Sequence, residues 1–96
     1  MTMKEAYKKK IEAELELVQA NIAKFKAQAK ISTADARIKY SKQIGEIEHM
    51  VAATKAKLKE LGEVGEDTWD QLRDSVENAW GALNVAVRDT AAKFKD

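Results

Sequence analysis

The chain has 96 residues, no cysteine, no proline and four glycines, so a disulfide scaffold, a thiolate metal site and a turn-rich β fold are excluded. Alanine, glutamate, lysine, leucine and arginine make up 49 of the 96 residues, the composition of long helices or coiled coils. Seventeen basic groups against sixteen acidic ones leave no basic surplus for a phosphate backbone, and the three arginines are too few for forked phosphate recognition, so nucleic acid is not an expected partner.

The start, MTMKEAYKKK, carries charge with no apolar segment behind it, and the longest apolar run is Met50 to Ala53. Neither a signal peptide nor a membrane span is expected, and a cytoplasmic location is the expectation. Lys4, Lys8, Lys9 and Lys10 could meet phosphate or anionic lipid. The interspersed Glu5, Glu12, Glu14 and Glu16, and the lack of a stacking aromatic platform, favour a solvated helix end.

Along the first half, Ile11, Leu15, Val18, Ile22, Phe25 and Ala29 have spacings of 4, 3, 4, 3, 4, which is a heptad seam. Tyr40, Ile44, Ile47, Val51, Thr54, Leu58 and Leu61 repeat the alternation, joined to the first run through Thr33 and Ala36 by a stutter that need not stop a helix. No glycine or proline lies between residues 26 and 44, so one continuous helix from about Lys4 to Leu61 is the favoured expectation, about 85 to 90 Å long. A break near Ser32 is the alternative, since Ser32 and Asp35 have the spacing of a capping box.

Gly62 and Gly65 bracket the clearest interruption, so residues 62–66 read as a turn, with Asp67 or Thr68 able to cap the next helix. From 67 to 94, Trp69, Leu72, Val76, Trp80, Leu83, Val87, Ala91 and Phe94 recur so that tryptophan and leucine each repeat at eleven residues, close to an undistorted helix. The whole chain thus reads as a single all-α domain, 1–96, an antiparallel coiled coil or helical bundle. Tyr40, Ile44, Ile47, Val51, Leu58, Leu61, Trp69, Leu72, Val76, Trp80, Leu83, Val87 and Phe94 form its intramolecular packing.

If the long helix runs through, the returning helix reaches only its second half. Ile11, Leu15, Val18, Ile22, Phe25 and Ala29 are then left as an apolar surface for a second copy, giving a homodimer or higher homo-oligomer, or for a helical protein partner. Residues 1–31 carry net charge +3 and residues 66–96 carry −3, a complementarity that serves either pairing between chains or an up-down-up bundle within one.

Chemical sites are poorly supported. Glu46 and His49 have the Glu-x-x-His spacing of helical metal ligands, but the seam turns Ile47 inward and both of them toward water. With one outward histidine and no glycine elbow, no nucleophile has a base or an oxyanion hole, so no catalytic residue, cofactor or metal ligand is assigned. Trp69 and Trp80 on one face of an amphipathic helix raise peripheral lipid binding as the alternative function. Asp70, Asp74 and Glu77 on the polar side oppose contact with anionic headgroups.

The stretch Ala34-Asp35-Ala36-Arg37-Ile38-Lys39-Tyr40, the paired Trp69 and Trp80 and the charged connection before Trp69 resemble a family of small bacterial coiled-coil proteins, some described as stress-response proteins. The similarity covers nearly the whole chain. It implies a soluble bacterial protein with a link to stress, and brings no substrate, cofactor or catalytic residue.

Overall fold

A computed structural model describes residues 2–94. Helix α1 spans Met3–Lys30, α2 spans Ala34–Glu63 and α3 spans Trp69–Phe94, running up, down and up with no strand among the described residues. The favoured continuous helix is therefore corrected: the chain turns at Ile31, Ser32 and Thr33.

The turn is built without glycine, and no described residue has a positive φ. The Ile31 and Ser32 N–H groups donate to the Gln28 and Ala29 carbonyls at 3.3 and 3.2 Å, so α1 closes on a tightened last turn. Ser32 Oγ also donates to the Gln28 carbonyl, at 3.0 Å. Thr33, not Ser32, is the N-cap of α2: its backbone is extended, and its Oγ1 accepts from the Ala36 N–H at 3.3 Å. Arg37 reaches back to the Lys30 carbonyl at 3.0 Å and ties the two helix ends together.

Burial explains why the turn prevails over a straight helix. Ile11, Leu15, Val18, Ile22, Phe25 and Ala29 are only 2–6% exposed once α1 folds back. Each large apolar side chain removed from water contributes about 1.5–3 kcal/mol, which together outweighs the few backbone hydrogen bonds lost at one break. The resulting bundle measures 51 × 19 × 17 Å, far shorter than a continuous helix would be.

The second connection departs from expectation in detail. Helix α2 continues past Gly62 to Glu63 and ends on an extended Val64. Gly62 sits under the Lys8 side chain, where an added Cβ would come within 3.1 Å of Nζ. Lys4 Nζ donates to the Val64 carbonyl at 2.7 Å, fastening the first turn of α1 to this loop. The Thr68 hydroxyl donates to the Gly65 carbonyl, at 3.4 Å.

All thirteen positions expected to pack inside the chain do so. Ile44, Ile47, Val51, Leu58, Leu61, Trp69, Val76, Leu83 and Val87 are buried, and Tyr40, Leu72, Trp80 and Phe94 pack against them partly covered. At one end Phe94 lies 4.2 Å from Tyr40 and 5.3 Å from Phe25, centroid to centroid, closing the bundle with rings from all three helices.

Thr54 is fully buried, and its hydroxyl donates to the Met50 carbonyl of its own helix at 2.9 Å. That carbonyl already serves the helix ladder, so the hydroxyl gains little from the core. Thr54→Val is expected to leave stability unchanged or raise it by up to about 1 kcal/mol in urea unfolding. A loss above that size would mean the bond is worth more than the geometry suggests.

Candidate functional site

The expected association stripe is not a surface. Ile11, Leu15, Val18, Ile22, Phe25 and Ala29 belong to the hydrophobic core of the single chain, because the turn at residues 31–33 brings α2 and α3 over them. The assignment of these residues to contact with a second copy is corrected on that ground.

Glu46 and His49 both lie exposed on α2, on either side of the buried Ile47. The described residues contain no group of three or more histidine, cysteine, aspartate or glutamate side chains able to hold a metal. Among the amino-terminal lysines, Lys4 is engaged with Val64 and Lys8 arches over Gly62. Lys9 and Lys10 remain exposed.

Trp69 is only 7% exposed. Its ring meets Tyr7 at 5.9 Å, and the Arg73 guanidinium lies over it at 5.1 Å. Tyr7 spans from α1 to α3, its hydroxyl donating to Glu77 Oε1 at 2.8 Å. Burial raises the Tyr7 hydroxyl's pKa well above its ordinary value, reinforced by the hydrogen bond to the Glu77 carboxylate and by its charge.

A raised folded-state value stabilises the fold fully below the unfolded value of about 10, and the contribution is lost as pH climbs beyond it toward the folded value. Urea midpoints are thus expected to fall more steeply above about pH 10 in the parent than in Tyr7→Phe. Equal slopes would show the hydroxyl to be as free in the folded chain as in the unfolded one.

The helix pairs differ in how well they close. Between α1 and α2 a groove of 410 Å³ runs over Ile22, Ala23, Val51 and Ala52, and it is bridged by Lys26 and Glu48 at 3.2 Å. Between α1 and α3 a crevice of 380 Å³ opens over Val18, Trp80 and Val87, flanked by Asn21 and Asn84. No ion pair between α1 and α3 spans it among the described residues.

At its lip stands Leu17, 68% exposed, beside the half-covered Trp80. Leu17 is absent from the sequence-derived surface because it lies off the heptad seam, two places from Leu15. A leucine at a position the seam assigns to water is the signal that could have found it.

Fold and surface together define an all-α, up-down-up three-helix bundle with an open crevice between α1 and α3. No described helix is long and apolar enough to cross a membrane. Comparison of the chain with protein-family models, with curated proteins and with solved structures finds no match.

Proposed function

We propose that this protein is a non-enzymatic helical bundle that acts by association, with further copies of itself or with a helix of another protein. The observation that carries the reading is Leu17, held 68% exposed at the lip of the α1/α3 crevice next to Trp80. Covering such a side chain contributes about 1–2 kcal/mol and needs no change in the bundle. The resemblance through Ala34–Tyr40 and the two tryptophans adds a bacterial, cytoplasmic and stress-linked setting to the reading.

The lipid-surface alternative is less well supported, because the apolar stripe of α3 that would enter a membrane is the one packed in the core. Sedimentation equilibrium from micromolar to near-millimolar protein tests self-association. A mass rising above one chain, with helicity unchanged, is expected; a one-chain mass throughout would remove the self-association arm.

A further inference from the structure

Helix α3 carries a second line of residues outside its core stripe. Asp70, Asp74, Glu77, Gly81, Asn84 and Arg88 are spaced 4, 3, 4, 3, 4, the step of a helix–helix seam, and all are exposed except the half-buried Asn84. Asn84 lines the α1/α3 crevice, so the seam runs along the same side of the bundle as Leu17. It has a definite polarity. The acidic residues stand at its amino-terminal end, a glycine and an asparagine at its middle, and an arginine at its far end.

The glycine has no explanation inside the bundle. A glycine in a helix interior costs about 1 kcal/mol relative to alanine. A Cβ added at Gly81 would meet nothing within 4 Å, so no neighbour in the chain requires its absence. Close approach of another helix would.

Charge selects that helix. The pairs Glu77 with Arg88 and Gly81 with Asn84 share one midpoint, between Ala82 and Leu83. A second α3 lying antiparallel across this midpoint therefore sets Glu77 against the partner's Arg88, Arg88 against the partner's Glu77, and Gly81 against the partner's Asn84. A parallel copy would place acid on acid. Residue i meeting j while j meets i is the signature of a two-fold, self-complementary interface.

We propose that the α1/α3 face binds a second copy of the chain, antiparallel, about a two-fold axis passing between Gly81 and Asn84, with Leu17 covered alongside. The proposal rests on the association reading under Proposed function and specifies its partner and geometry.

Two charge variants test it by sedimentation equilibrium at low salt, with far-UV circular dichroism as the check on folding. Glu77→Lys and Arg88→Glu, each alone, put like charges in both symmetry-related contacts, and each is expected to weaken the two-chain species about tenfold or more. Mixed in equal amounts they restore both contacts, so the mixture regains a two-chain mass that neither variant shows alone. Gly81→Leu, whose Cβ meets nothing within 4 Å in the bundle and whose folding the circular dichroism checks, is expected to abolish that mass.

If the parent associates but the mixture is no heavier than the single variants, or Gly81→Leu associates as the parent does, this geometry is overturned and association through another face stands. A one-chain mass for the parent under all conditions overturns the geometry and the self-association reading together.

Discussion

Replacing Leu83 with alanine is expected to remove about 3 kcal/mol of stability, the middle of the range for emptying a leucine site in a closed core. Leu83 has no exposed surface, and it lies at mid-height in α3, where the apolar faces of α1 and α2 converge. A domain of this size holds about 5–15 kcal/mol in all, so one such cavity takes a large share of the total. Val85, two residues along the same helix, is 56% exposed, and alanine there should change stability by no more than about 0.5 kcal/mol. Urea unfolding of both variants decides the matter. A loss below about 1 kcal/mol at Leu83 would mean that the three helices are not closed around it.

The turn at residues 31–33 is expected to act as a hinge for exchange between chains. Thr33 already has a helical φ of −61°, and its ψ of 161° is what departs from a helix. Alanine at Ser32 and Thr33 removes the cap on α2, worth about 1 kcal/mol, and improves helix propensity at both positions. If α1 and α2 then fuse, α1 swings away from its own core and regains the same contacts on a second chain, a domain-swapped dimer. The double variant Ser32→Ala/Thr33→Ala is expected to shift toward twice the parent's mass with its helicity retained.

Ala34→Pro should do the opposite. Ala34 is the first residue of α2, a position that suits proline, while the residue before a proline is pushed away from helical backbone. This variant should remain folded back and gain about 0.4–1 kcal/mol. Should the alanine pair stay at one chain and lose only the energy of a cap, the turn is held by more than its own three residues.

The apolar positions of all three helices are readable from their spacing, because a side chain three or four residues from its neighbour shares a helix face whatever the tertiary arrangement. The turn cannot be decided in the same way. A heptad seam continues through Thr33 and Ala36 whether or not the chain bends there, and no glycine or proline marks the place.

What bends it is the gain from burying Ile11 to Phe25, an energy that belongs to the folded chain rather than to residues 31–33. The candidate association surface escapes the sequence for a related reason. Taking α1 as free makes its regular stripe the obvious sticky face. Once α1 is packed, the exposed large apolar side chains are scattered, Met3, Leu17, Ile31, Ile38 and Val85, and beside Leu17 runs a polar line on α3 whose logic is its charge order rather than its hydrophobicity.

One property of the arrangement concerns mechanics. With an odd number of helices, Met3 lies at the pole where α2 gives way to α3, and Phe94 lies at the other, beside Phe25 and Tyr40. Tension applied through the two ends would run along the 51 Å axis and load the seams in shear, so that many side chains resist at once instead of peeling one turn at a time. The bundle is thus a strut, stiff along its own 51 Å axis. An antiparallel pair of such struts would present one beginning and one end at each pole.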